Sequence, residues 1–204
     1  MPELHDRLYQ YTFATREIVD LVEDLAARAN HIHGDFVECG VCNGGLSAVA
    51  RLRMIAGKRL WLFDSFEGLP ETTAEDGPDP DGIDGIHIQG QCKGRLGNVQ
   101  AAFEAIDAPM SHTNLIIGRY AETFHTTPVP KVSFLMLDSD FYAAEILCWR
   151  KFWPLLSPGA YVFMDDYFYW PGCYKAANEF LEAVGQKRIR INRVGRAAWI
   201  QRRL

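Results

Sequence analysis

No apolar run in the 204 residues is long enough to span a bilayer, which argues against a membrane protein. The opening MPELHDRLYQ lacks the charged-then-apolar pattern of an export signal, so a cytoplasmic protein is expected. Five cysteines make an odd count, and their spacings fit no disulfide framework; free thiols are expected. Positive charge is not in excess: the formal net charge of −5 disfavours a nucleic-acid surface. One basic run works against that balance: Lys187, Arg188, Arg190, Arg193, Arg196, Arg202 and Arg203. It reads as solvated strand faces. Internal repeats and low-complexity tracts are missing. The stretch DGPDPDGIDG lacks the twelve-residue ligand pattern of a calcium loop.

What is present is ordinary for a folded domain, 48% apolar and 23% charged residues. The chain reads as one domain over 1–204, with residues 1–33 as an N-terminal helical cover. Ile18, Leu21, Val22 and Leu25 share one face of a helix over 14–29. Five apolar strands follow, at 36–40, 59–64, 113–118, 131–138 and 159–166. Helices at 44–56, 95–106, 120–125, 143–156 and 172–184 alternate with them. That alternation predicts an α/β fold with a parallel sheet covered on both faces. Two last strands, near 187–193 and 196–202, form an antiparallel hairpin and bring the sheet to seven strands. Residues 67–94 break the rhythm. They are rich in Gly, Pro and Asp and read as a lid loop.

Ligands of an open parallel sheet bind beyond the carboxyl ends of its strands. Those ends are Glu38-Cys39-Gly40, Asp64-Ser65-Phe66, Gly118-Arg119-Tyr120, Asp138-Ser139-Asp140 and Asp165-Asp166-Tyr167. All are polar, small or acidic, which a purely structural sheet does not require. Glycines after the first strand let backbone approach a ligand, although GVCNGG is not the full dinucleotide fingerprint. Asp64 stands where an acidic side chain accepts ribose hydroxyls. Together they favour an adenosine-containing cofactor. Cys39 and Cys42 form C-x-x-C, but no second cysteine pair completes a zinc site, and Cys39 belongs to the core. Asp138, Asp165 and Asp166 close adjacent strands. Carboxylates brought that close repel unless a cation joins them or one keeps its proton. A hard divalent ion, Mg²⁺, resolves the conflict. The alternative turns Asp166 or Asp140 away to cap a helix.

The stretches GDFVECGVCNGG, LWLFDSFEGLP, LMLDSDFY, LSPGAYVFMDDY and GCYKAANEFL resemble the macrocin and mycinamicin III type of S-adenosylmethionine-dependent O-methyltransferases. The resemblance runs from about residue 34 to 184 and implies a Rossmann-like class I methyltransferase fold. It implies Mg²⁺ held by Asp138, Asp165 and Asp166, with Asp138 as the catalytic base and Asp140 as second choice. It also assigns the cofactor contacts. Glu38, Gly40, Val41, Cys42 and Ser47 serve the first turn; Asp64, Ser65 and Phe66 the ribose and adenine; Gly118, Arg119 and Tyr120 the adenine edge. Family sequences often carry Trp-Arg where this chain has Cys42-Asn43. The lysine base of catechol-type relatives is replaced by Phe141.

The resemblance thus implies methyl transfer from S-adenosylmethionine to a hydroxyl of a small-molecule acceptor, a sugar or glycosylated natural product. Phe141, Tyr142, Tyr167, Phe168, Tyr169 and Trp170 cluster near the expected mouth, where rings can stack on an acceptor. Tyr11 and Phe13 either cover the site or join a homo-oligomer. Two rival classes are a nicotinamide-dependent oxidoreductase and a non-catalytic S-adenosylmethionine-binding module. The first needs a full glycine fingerprint and a proton relay, and neither is evident. The second has no use for an intact acidic trio.

Overall fold

The computed structural model describes residues 3–78 and 89–203. Its centre is a seven-stranded sheet made of β1 (Asp35–Cys39), β2 (Leu60–Asp64), β3 (Thr113–Ile117), β4 (Val132–Leu137), β5 (Leu156–Met164), β6 (Asn192–Val194) and β7 (Ala197–Gln201). The spatial order is β3-β2-β1-β4-β5-β7-β6. The first five strands are parallel, and β7 runs antiparallel to both β5 and β6. The order in which successive strands are added reverses between β1 and β4, and an open α/β sheet binds its ligand at such a switch point.

Among the described residues, seven α-helices surround the sheet: α1 (Leu4–Leu8), α2 (Arg16–Ala29), α3 (Gly45–Arg53), α4 (Leu96–Ala105), α5 (Tyr120–Thr126), α6 (Tyr142–Phe152) and α7 (Pro171–Ala183). The two-residue period of a strand decides which layer each core residue joins. Phe134 and Met136 of β4 pack with Ile18, Val22, Val49 and Phe103 from α2, α3 and α4. Leu135 and Leu137 pack on the other face with Phe124, Trp149, Phe152 and Leu181 from α5, α6 and α7. In β1 the same alternation sends Phe36 to the first layer and Val37 and Cys39 to the second. No helix among the described residues is long and apolar enough to cross a membrane.

Several boundaries differ from the sequence expectation; the strand expected over 159–166, for example, is Leu156–Met164. The helix expected over 143–156 stops at Phe152, and Trp153–Leu155 form a 3-10 turn. Pro154 cannot donate a backbone hydrogen bond, so it ends the α-helix and enters the next turn. The strand expected over 187–193 is only Asn192–Val194; the N–H of Ile189 instead closes a turn on the carbonyl of Gln186 at 2.8 Å. The edge strand β3 is only partly buried, with Ile117 54% exposed, although Leu115 packs on one core layer and Ile116 on the other. The centre of the expected lid loop, 79–88, lies outside the described residues.

Candidate active site

The strand ends open into a cleft of about 1160 Å³. One half is built around the turn after β1. Gly40 takes φ 91°, and a Cβ there would sit 1.7 Å from the carbonyl oxygen of Asp138. Backbone from β1 and β4 therefore touches, which only glycine allows. Asp64, at the end of β2, fastens this turn. Its Oδ2 accepts the N–H groups of Val41 (2.7 Å) and Cys42 (2.8 Å), and its Oδ1 accepts that of Phe66 (2.7 Å). The sequence suggested a ribose ligand at this position; the carboxylate already orders three backbone donors. The Gly118 N–H binds the Asp64 carbonyl at 3.0 Å, which brings the β3 end alongside. Arg119 reaches Glu67 (Nε to Oε2, 3.0 Å), and Tyr120 stacks on Phe124 with centroids 4.9 Å apart.

Glu38 faces α3 and is buried, with the Ser47 hydroxyl donating to its Oε2. Burial pushes its carboxyl up to about 8, against the pull of Ser47, and the charges of Asp64 and Asp165 add to the rise. Ser47 is itself fully buried and meets the cleft through Glu38. Phe66 packs on the core, and neither it nor Ser47 is part of the cleft wall. Glu38, Gly40, Val41, Cys42, Asp64, Ser65, Gly118, Arg119 and Tyr120 all line it.

The other half is acidic. Asp138, Asp140 and Asp166 offer carboxylate oxygens that lie within 4.8 Å of one another. This cluster has Asp140 where the sequence argument had Asp165. Asp165 is drawn toward Arg196, whose Nη2 lies 2.6 Å from its Oδ2; Arg196 Nε lies 3.3 Å from Asp166 Oδ1. The buried Oδ1 atoms of Asp165 and Asp166 accept no hydrogen bond from the described residues. Burial raises the pKa of Asp138, and the neighbouring charges of Asp165, Asp140 and Asp166 raise it further. Asp140 is pushed up to about 7, first by burial and then by Asp165. Burial also raises Asp166, with Asp165 and Asp140 adding, whereas for Asp165 the Arg196 charge opposes it. For Arg196 burial favours the neutral form, but the Asp165 and Asp166 charges outweigh it and raise the pKa overall. The acids thus share one site in which burial and mutual repulsion disfavour their charged forms.

The profile of the Macrocin-O-methyltransferase (TylF) family matches residues 8–201. The chain belongs to that family. The demethyldecarbamoylnovobiocin O-methyltransferase of Streptomyces niveus is 29% identical to this macrocin-type chain over 164 residues, 78% of this chain and 62% of its own length. The mycinamicin III 3''-O-methyltransferase of Micromonospora griseorubida is 27% identical over 179 residues, 83% of this chain and 70% of that one. The chain thus spans under two thirds of the first relative. The solved O-methyltransferase NovP has the same fold, with a TM-score of 0.80, 24% identity, and coverage of 95% of this chain and 83% of NovP. Membership in the macrocin O-methyltransferase family does not favour the nicotinamide reading.

Within this macrocin-type site, Arg196 corrects the sequence reading. It belongs to the basic run taken as solvated, yet it is ion-paired in the cleft wall. Its position was a usable signal: it sits in the two-residue turn between β6 and β7, and β7 pairs with β5, whose end carries Asp165. Glu145 of α6 was also missed. It is buried, accepts the Ser139 hydroxyl and, at 2.9 Å, Trp149 Nε1, and burial pushes its carboxyl up to about 7. Of the aromatic residues expected at the mouth, Tyr169 and Trp170 line the cleft; Phe141 is buried edge-on against Trp170. Tyr11 and Phe13 also line the cleft.

Proposed function

We propose that this chain is an S-adenosylmethionine-dependent O-methyltransferase that methylates a hydroxyl of a sugar or glycosylated natural product, assisted by a divalent cation such as Mg²⁺. The observation that carries the reading is the buried Oδ1 of Asp165, which accepts no hydrogen bond, beside an Asp166 Oδ1 that meets Arg196 Nε at 3.3 Å, in one cleft with Asp138 and Asp140. The family supports the reaction class. Demethyldecarbamoylnovobiocin and mycinamicin III, which name two relatives, support the acceptor class.

The donor half is the wall from Glu38 to Cys42 with Asp64, Ser65, Gly118, Arg119 and Tyr120. When bound, S-adenosylmethionine supplies a methyl group on a sulfonium, and transfer to oxygen leaves a neutral thioether. Asp138 and Asp166, with the Oδ1 of Asp165 that Arg196 leaves without a hydrogen bond, form an all-oxygen set that suits a hard cation, which would supply Lewis-acid polarisation of the acceptor oxygen. Asp140 accepts the hydroxyl proton. It takes this role ahead of Asp138 because Asp138 would hold the cation. Residues 67–78 and 89–94 flank the acceptor side and serve as the described part of a lid, and alignment of oxygen, carbon and sulfur contributes rate.

The test is methyl transfer from radiolabelled S-adenosylmethionine to a panel of glycosides with neighbouring hydroxyls. Asp138→Asn is expected to lower turnover at least about a hundredfold. Calorimetry with S-adenosylhomocysteine is expected to show unchanged affinity for the same variant. A variant that turns over at the wild-type rate would overturn the assignment of the acidic site.

A further inference from the structure

Asp76 has no exposed surface, although its neighbours Thr73, Ala74, Glu75 and Gly77 are all exposed. Its two oxygens face different elements. Oδ2 accepts the backbone N–H of Thr73 (2.7 Å) and the Thr73 hydroxyl (2.9 Å), both in the loop after β2. Oδ1 accepts the N–H of Tyr142 (2.6 Å), the first residue of α6. A Cβ on Gly172, in the first turn of α7, would lie 2.2 Å from that same oxygen. The carboxylate is therefore wedged between the starts of two helices, where unpaired N–H groups and the helix dipole favour a negative charge. Tyr142 directly follows the turn that carries Asp138, Ser139 and Asp140. The loop on the other side of Asp76 is part of the cleft: Leu69, Pro70 and Glu71 line it. Its stem is closed by paired backbone bonds, Leu69 N–H to Gln91 O and Gly90 N–H to Leu69 O, each 2.9 Å.

We propose that Asp76 is a positioning residue that ties the loop wall of the cleft to the Asp138–Asp140 turn. Resting on the methyl-transfer reading above, the tie sets the distance between the surface that holds the acceptor and the group that takes its proton. None of the bonds that Asp76 makes reaches Gly40 or Asp64, whose contacts lie at the ends of β1, β2 and β4.

Two variants and two readouts test this. Asp76→Ala removes all three bonds, whereas Asp76→Asn keeps an amide oxygen for the Tyr142 N–H. Asp76→Ala is expected to lower kcat about tenfold or more, with S-adenosylhomocysteine affinity unchanged, because misplacement rather than lost binding is the defect. Asp76→Asn is expected to recover most of that loss. Hydrogen exchange is expected to speed up in the peptide containing Tyr142 in the alanine variant and to stay slow in β4. Unchanged exchange at Tyr142 would overturn the tie. Faster exchange with wild-type kcat would overturn the positioning role. If the alanine variant does not fold, Thr73→Ala, which removes only the hydroxyl bond, must show a smaller loss in the same direction, and wild-type kcat there would overturn the proposal. A wild-type chain that methylates nothing would sink the methyl-transfer reading, while the exchange measurement would still decide the tie by itself.

Discussion

Glu38 shows how much one side chain's surroundings can dictate. It is 2% exposed on a strand whose neighbours are apolar, with a serine hydroxyl as its hydrogen-bond donor. Folding moves its carboxyl from the ordinary value of 4.5 to about 8, mainly through burial. Between those two values the folded chain keeps a proton that the unfolded chain releases. The stability this group contributes is therefore complete below about pH 4.5 and is lost as pH rises through about 8. The midpoint of thermal unfolding, measured without ligands, is expected to fall across that window, and Glu38→Gln is expected to flatten the fall. Parallel curves for the two proteins would show that Glu38 is not the source. The importance of Glu38 could be seen in the sequence, because an acid inside an apolar strand is a conflict that function explains. Arg196 could not be picked out in the same way. Its place in the turn after Gly195 sets it apart from Arg193, but only the pairing of β7 with β5 shows that this turn reaches Asp165.

At the scale of elements, the unit β1–turn–α3 carries the donor half of the cleft, and its geometry rests on contact between the Gly40 turn and the end of β4. Gly40→Ala combines a left-handed backbone with a Cβ 1.7 Å from a carbonyl oxygen that belongs to the sheet. Neither strand can withdraw without breaking the Asp138 N–H bond to Cys39 O at 2.9 Å. The substitution is expected to cost about 3 kcal/mol or more in urea unfolding. Gly57→Ala is the control. Its φ is 90°, but no atom lies within 4 Å of the added carbon, so only backbone strain of about 1 kcal/mol applies. Equal losses at the two positions would mean that the close approach is not what selects glycine at 40. The five parallel strands were legible because each is a short apolar run bounded by turn residues. The last strands were less so: β6 has three residues, none fully buried, and leaves almost no pattern. The Asp76 tie was hidden for another reason, since it joins a loop to a helix start 66 residues away and no local period records it.

The whole molecule gathers negative charge at one end of its sheet. Four aspartates from two adjacent strand ends share one wall of the cleft with Arg196, which is ion-paired to two of them, in a chain whose net charge is already −5. The two core layers behind them fix the strands rigidly, so the carboxylates cannot spread apart to relieve their repulsion. Without a cation, the relief open to them is retained protons, seen in the raised pKa of Asp138, Asp140 and Asp166. A divalent ion that binds only the folded chain adds RT ln(1 + [L]/Kd), about 2.7 kcal/mol when its concentration is a hundredfold above Kd. For a domain of this size that corresponds to a rise of roughly 5–10 °C in the unfolding midpoint. Magnesium is therefore expected to raise the midpoint at pH 8, where the acids must otherwise ionise against one another, and to do less at pH 5, where protons already relieve them. A chelator should reverse the rise, and Asp166→Asn should remove most of it. A midpoint indifferent to millimolar magnesium at both pH values would mean that protons and Arg196 suffice to hold the cluster together, and the acidic end would then have to work without a metal.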